Sequence, residues 1–427
     1  MKDTIKKNIK KILILIYHGM ARVFPLNCKK VIFMSNMGRN YSDNPRAVYE
    51  AFEKDARFIG TKPVWVFNGD YLKTVRESRK HQPLKHKERM LPKNCKIVRY
   101  GSLRYYFHMA TSFVWIFNTR QEPYLVKRNK AMYFMTWHGT PLKKLGLDLE
   151  NFHMAGEARD IESYKASFTE EAAKWDCLIV QNDFSEKVLP GSLGYKGEVL
   201  KTGYPRNDRL VKAFAASRIR DVLSGAGKDG SSDSKDVKDG RKVLLYAPTW
   251  RDDEYVSGGF YKGVSGLDFE YLEKELSKNF RIIVKLHYLT DGKAAVPENC
   301  IKSGFVKVYG NEADISRLYL QADGLITDYS SVFFDYSILE RPIFFFCYDM
   351  ENYRDRLRGF YLNLEEIAPG PISVNKNELV KDIRNYFGKG REDEIKRVKA
   401  FKSVYNKYDD GKASEKVLDV VAEHMRR

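Results

Sequence analysis

The sequence predicts an α/β protein of two domains, each a parallel sheet covered by helices on both faces, with a cleft between them. Three observations predict it. Short, uninterrupted apolar runs alternate with helical or loop segments along nearly the whole chain, which is the mark of parallel strands buried on both faces. The alternation breaks once, near Ala226, and then resumes. The length of 427 residues suits about two domains, each with its own core.

The elements follow in order. In residues 1–29, Lys2, Lys6, Lys7, Lys10 and Lys11 precede the apolar run Ile12–Tyr17, and Arg22 and Lys29 follow it. The run is far short of the roughly 20 apolar residues of a spanning helix. A signal peptide would need a longer apolar core and a small-residue cleavage site. The segment suits a basic amphipathic helix, either lying on an anionic membrane or packed as the first helix of its domain. Residues 30–225 form the first domain, with strands expected at 31–35, 64–67, 96–98, 113–117, 132–135 and 177–180. Ser42-Asp43-Asn44-Pro45 supplies a cap and an early helical proline for a helix over 46–54.

Residues 226–240 are expected to be a flexible linker, because G-K-D-G-S-S-D-S-K-D-V-K-D-G has no large apolar residue except Val237. The second domain, 241–427, has strands expected at 243–246, 281–285, 324–327 and 343–346. Helices are expected at 268–278 and 331–339. The charged, helix-periodic tail from Glu392 should pack back across both halves as a C-terminal crossing helix. Two such sheets joined by a linker resemble the two-Rossmann architecture of GT-B transferases.

Composition narrows the function. Hydrophobic residues at 43% and aromatics at 13% exclude a disordered chain. The formal net charge of +18 favours anionic partners. Nucleic acid is disfavoured, because the basic stretch from Arg76 to Arg89 has no aromatic but histidine to stack on bases. The five cysteines are scattered without a CxxC pair, so neither a zinc site nor a disulfide framework is expected. A reducing, cytoplasmic setting follows.

Two constellations carry chemistry. Thr136–Leu145, T-W-H-G-T-P-L-K-K-L, ends an apolar strand in a turn that offers a possible base, a close-approach backbone and positive charge at a sheet rim. Leu325–Asp335, L-I-T-D-Y-S-S-V-F-F-D, puts Ser330 and Ser331 where a helix begins. Serine caps helices, and free N–H groups there can cradle a phosphate. Asp335 would repel phosphate and suits a sugar or glycerol hydroxyl. Three smaller pieces sit at strand ends: Y-A-P-T-W-R at 246–251, K-L-H at 285–287 and T-G-Y-P-R-N-D at 202–208. Of eight histidines, only His138 and His287 close predicted strands beside turn chemistry. His81, His86, His153 and His424 lie in polar surroundings.

These motifs, in this order and spacing, resemble the CDP-glycerol glycerophosphotransferase family, which builds teichoic acid and related polymers. Y-S-D-N-P near residue 41 is similar to that family's N-terminal motif, and the likeness runs from about residue 30 to 420. It implies His138 as catalytic base and His287 as a second essential histidine. Substrate contacts are implied at Trp137, Gly139, Thr140, Pro141, Arg206, Pro248, Thr249, Lys285 and Leu286, with Ser330 and Ser331 on phosphate and Asp335 following. The implied reaction is transfer of glycerol phosphate from CDP-glycerol to a lipid-linked anionic acceptor, at the cytoplasmic face of the membrane and peripheral to it. Lys143 and Lys144 would face the acceptor.

No cofactor is expected, and no Asp/Glu cluster resembles a magnesium site. The chain departs from the family pattern at Tyr288, where K-x-H is usually followed by proline, and in lacking the long N-terminal extension of the large polymerases. CDP-ribitol as donor, or sugar transfer by a GT-B glycosyltransferase, are the rival readings.

Overall fold

The computed structural model describes residues 2–81, 90–150, 160–224, 240–251, 255–257, 260–261, 266–287, 290, 296–353, 359–388 and 392–427. The first half opens with α1 (Lys2–Val23). Its sheet is made of β1 (Asn27–Met34), β2 (Lys62–Phe67), β3 (Lys96–Arg99), β4 (Ser112–Phe117), β5 (Met132–Met135), β6 (Cys177–Ile179) and β7 (Glu198–Leu200). Between these strands run α2 (Asp43–Phe52), α3 (Gly69–His81), α4 (Leu103–Thr111), α5 (Ile161–Ala172) and α6 (Asp183–Leu193). α7 (Asp208–Ser224) leads towards the second half.

There, β8 (Lys242–Tyr246) precedes an antiparallel ribbon of β9 (Tyr255–Ser257) and β10 (Phe260–Tyr261). Next come α8 (Phe269–Leu276), β11 (Phe280–Lys285), α9 (Glu298–Lys302), β12 (Val306–Tyr309), α10 (Ile315–Gln321) and β13 (Gly324–Thr327). The chain continues through α11 (Val332–Tyr336), β14 (Ile343–Phe346), α12 (Met350–Asn352), α13 (Leu364–Ile367), β15 (Ile372–Ser373) and α14 (Lys376–Gly388). It closes with α15 (Glu392–Tyr405) and α16 (Ala413–Arg426).

The strand orders are β3-β2-β1-β4-β5-β6-β7 and β12-β11-β8-β13-β14-β15, paired in parallel. The apolar runs are continuous because each strand is buried on both faces. Ile32 and Met34 of β1 enter one core while Val31 and Phe33 enter another. Leu245 and Tyr246 of β8 divide in the same way. Both orders reverse once, between β1 and β4 and between β8 and β13, and open sheets bind ligands beyond such switch points.

Of the four sheet edges, only β3 was legible in the sequence. β7 and β12 are mostly half-exposed, and β15 has two residues. Short, poorly buried edge strands carry little apolar signal. The helix expected over 331–339 is shorter, α11 being continued by a 3-10 turn at Ser337–Leu339. The C-terminal crossing is made by two helices. α15 sends Phe401 and Tyr405 into the second half's core, and α16 sends Val417, Leu418 and Val421 into the first's. Asp208 starts α16 by accepting from the Ala413 and Ser414 N–H groups, both at 2.8 Å.

The expected linker lies outside the described residues except for Gly240, and Tyr288 lies outside them too. All five cysteines are free. α1 packs Tyr17 against α4, and the tyrosine hydroxyl donates to the Val126 carbonyl at 2.9 Å. Its other face leaves Ile9, Ile12, Leu15 and Val23 in solvent, Leu15 being 70% exposed. No described helix is long and apolar enough to cross a membrane.

Candidate active site

Loops from both halves meet at a cavity of about 230 Å³. The loop after β5 supplies Trp137, His138, Gly139, Thr140, Pro141 and Lys143. Across from it lie Thr249 and Trp250 after β8, His287 after β11, and Tyr329, Ser330 and Ser331 after β13. Among the described residues, the lining holds no carboxylate. Pro248, Lys285, Leu286, Arg206 and Asp335 are buried and do not line it.

One hydrogen bond orients the ring of His138. Its Nδ1 lies 2.7 Å from the backbone oxygen of Asn118, at the end of β4. A carbonyl only accepts, so Nδ1 carries the proton and Nε2 keeps its lone pair. Burial lowers the imidazole below its usual 6.5, against the opposing effect of the Asn118 bond. Burial also pushes His287 well down, reinforced by the charge of Lys143. Both rings are therefore neutral at pH 7.

The backbone around His138 is strained. Trp137 has φ 48, and its loop is pinned by Asn44, whose Nδ2 donates to the Thr136 and Trp137 carbonyls at 3.0 Å each. Asn44 Oδ1 also accepts from the Arg206 N–H at 3.1 Å. Gly139 approaches closely across the cleft, and a Cβ there would stand 2.8 Å from Ser331 Oγ. Thr140, fully buried, spends its hydroxyl on Gln181 Oε1 at 2.7 Å, which fastens the loop to the end of β6.

Arg206 joins the halves. Its guanidinium holds Asp43 at 2.8 Å and Asp335 at 2.7 Å, and donates to the His138 carbonyl at 2.9 Å. Asp335 also accepts from Asn207 and Gln181. Gln181 and Asn207 bond Asp409 as well, at 2.7 and 3.3 Å. Burial raises Asp335, with Arg206 opposing, and it pushes Asp409 up to about 7.

On the opposite wall a second arginine does similar work. Arg251 bonds Asp328 at 2.9 Å and Asp349 at 2.8 Å. Asp328 accepts from the Thr249 N–H at 2.7 Å, and Asp349 accepts from the Tyr329 hydroxyl at 3.0 Å. Both loops of this wall are thereby fixed to one cation. The Thr249 hydroxyl is buried and has no partner among the described residues. Ser331 makes no side-chain bond to the helix that it begins. Hydroxyls with no structural duty suit phosphate oxygens. Lys143 Nζ donates to the Tyr353 hydroxyl at 2.9 Å beside this wall, whereas Lys144 turns outward to Glu150 at 2.5 Å. No described group of three or more His, Cys, Asp or Glu could hold a metal ion.

Asn118 and Asp349 were not singled out by sequence reasoning, and Asp43, Asn44, Arg251 and Asp328 lay within its motifs without an assigned role. Asp43 and Asn44 stand before Pro45 in Y-S-D-N-P, which read as a helix cap and as part of a family motif, with no contact assigned to either. In fact Ser42 makes no capping bond, and Asp43 sits at φ 63.

Two Rossmann-type halves facing each other across such a cleft define a protein of the GT-B fold. The model of the CDP-glycerol:poly(glycerophosphate) glycerophosphotransferase family matches residues 16–423, and the chain belongs to that family. It is 34% identical over 425 residues to a teichoic acid poly(glycerol phosphate) polymerase of Bacillus spizizenii, covering 98% of this chain and 99% of that protein. It is 35% identical over 408 residues to the polymerase of the same description in Bacillus subtilis, covering 94% of this chain but only 50% of that protein. Among solved structures, a variant of the wall teichoic acid polymerase TagF soaked with CDPG matches at 32% identity and a TM-score of 0.80. That match covers 100% of this chain and 97% of that one.

Proposed function

We propose that the protein transfers glycerol phosphate from CDP-glycerol to a hydroxyl of a lipid-linked glycerol-phosphate acceptor, releasing CMP. The observation that carries this is the pairing across one cavity of a neutral, Nδ1-protonated His138 with the hydroxyls of Thr249, Ser330 and Ser331. The acceptor oxygen attacks the β-phosphorus and its proton passes to His138 Nε2. The bond from that phosphorus to the bridging oxygen breaks, and CMP leaves with the electron pair. A positioned base matters because an alcohol is a poor nucleophile near neutral pH. The serines, Thr249 and backbone N–H groups are fixed donors for the charge on the phosphoryl oxygens. Lys143 and Lys285 add positive potential.

The acceptor is membrane-bound in this reading, and the outer face of α1 is what rests on the inner leaflet. Its exposed apolar stripe, preceded by lysines, has the make-up of an interfacial helix. To test the function, the protein is incubated with a lipid acceptor and either CDP-glycerol, CDP-ribitol or a UDP-sugar, and CMP or UDP release is measured. CMP release with CDP-glycerol alone is expected. Preference for CDP-ribitol or a UDP-sugar would replace this reading by one of its rivals.

A further inference from the structure

A base needs a group that orients it, and for His138 that group is the backbone carbonyl of Asn118, just after β4. Asn118 is itself fixed through its side chain. Its Oδ1 accepts from the Asn36 N–H at 2.8 Å, and its Nδ2 donates to Asn36 Oδ1 at 3.0 Å and to Asp43 Oδ2 at 2.9 Å. Both amide protons and the amide oxygen are spent, so the peptide that holds the ring has little freedom to turn. The charged member of this set is Asp43, the first residue of α2.

The other oxygen of Asp43 works on the same histidine. Oδ1 accepts from Arg206 at 2.8 Å and from the Asn44 N–H at 2.7 Å, and Arg206 donates in turn to the His138 carbonyl at 2.9 Å. One carboxylate thus reaches the ring through Asn118 and the backbone through Arg206. The backbone here is enforced on both sides of the contact. Asp43 has φ 63 and Trp137 φ 48, and Asn44 bonds the Trp137 carbonyl at 3.0 Å. Non-glycine residues keep such conformations only where the surroundings impose them. The electrostatics agree with the geometry. Arg206, from the turn before α7, and Arg120, from the loop after β4, disfavour a proton on the ring. Lys143, from its own loop, and the neutral His287, from the loop after β11, share its cavity. Asp43 is the charge that favours a proton there. His138 takes a proton as the acceptor oxygen attacks, so its cation forms among other cations, with Asp43 to offset them.

We propose that Asp43 is the positioning residue of the base: it fixes the Asn118 carbonyl that holds His138 Nδ1–H, and it supplies the negative charge that stabilises the imidazolium formed during transfer. This rests on the glycerophosphotransferase reading. Asp43 does not line the His138 cavity, so it acts through Asn118 and Arg206 and not on the substrate.

The test follows CMP release from CDP-glycerol with a lipid acceptor across pH, with thermal unfolding alongside. Asp43→Asn keeps the shape of the side chain, and asparagine tolerates the left-handed backbone. Its kcat should fall tenfold or more, with the KM for CDP-glycerol within twofold. Its acid limb should move to lower pH, because the charge that favoured the protonated ring is gone. Asn118→Ala keeps the carbonyl but cuts its link to Asp43. It should also lower kcat, while its acid limb, with the Asp43 charge in place, moves less. The double variant should lose less than the product of the two single losses, because both act along one path. Should Asn118→Ala fail to fold, the acid limb of Asp43→Asn decides alone. If the wild type releases no CMP with any lipid acceptor, the glycerophosphotransferase reading itself fails. If it turns over but Asp43→Asn runs at the wild-type kcat, or chiefly raises the donor's KM, the role of Asp43 is overturned. A slower variant with a lower Tm and an unmoved acid limb would make Asp43 a structural residue only and overturn it too.

Discussion

His138 donates its Nδ1 proton to the backbone oxygen of Asn118 across 2.7 Å, and that single bond decides what the other ring nitrogen can do. With Nδ1 protonated, Nε2 is free to accept a proton, and burial keeps it unprotonated at neutral pH. The imidazole value is lowered from 6.5, so the active base is present above it and lost only as pH falls through the lowered value. The rate should therefore be flat through pH 7 and decline on an acid limb below 6.5. His138→Ala should cut CMP release by about 100- to 10,000-fold, the usual worth of a general base, with CDP-glycerol binding largely intact. A variant at the wild-type rate would remove His138 from the mechanism.

The sheets and the His138 and Ser331 loops were legible because parallel strands buried on both faces leave unbroken apolar runs that end in turn chemistry. The buried junction was not. Arg206 read as a ligand contact, whereas in the structure it is tied to Asp43 and Asp335, residues 163 and 129 positions away along the chain. Such pairing depends on how two halves meet, and no local pattern encodes it. Asn44 and Asn118 were missed for the same reason, since each acts through a carbonyl or N–H of a different loop.

Asp409 lies in that junction with its carboxyl pushed up from 3.8 to about 7 by burial. A carboxyl raised on folding contributes stability that is fully present below 3.8 and lost as pH rises through about 7. At 1.36 kcal/mol per unit the full effect is about 4 kcal/mol. Asp409→Asn, permanently uncharged, should flatten the pH dependence. Thermal unfolding from pH 5 to 8 should show the wild type losing Tm relative to the variant as pH rises. Parallel curves would mean that Asp409 stays ionised in the native state.

The outer face of α1 makes a prediction about location. Cations near an anionic leaflet contribute roughly 1 kcal/mol each, and that attraction is screened by salt. The protein should sediment with anionic vesicles, stay free of neutral ones and come off in high salt. Leu15→Glu, at an exposed position, should weaken binding without changing the melting temperature. Absent or salt-insensitive binding would rule out this face as the membrane contact.

The closest approach of the two catalytic walls gives the sharpest steric test. A Cβ at Gly139 would stand 2.8 Å from Ser331 Oγ and 3.3 Å from Ser331 Cβ, and the residue's φ of 157 is one that side chains avoid. Gly139→Ala should therefore push the His138 loop away from Ser331, and a shift of about 1 Å there can cost about 100-fold in rate. The same loss could come from local backbone strain alone, so the double variant decides. With Ser331→Gly both serine atoms are gone and the collision is relieved. If contact across the cleft is the cause, Gly139→Ala/Ser331→Gly will be no slower than Ser331→Gly by itself, a coupling that independent sites do not show. Additive losses in CMP release would instead place the defect in the backbone of residue 139 and leave the width of the cleft unaffected.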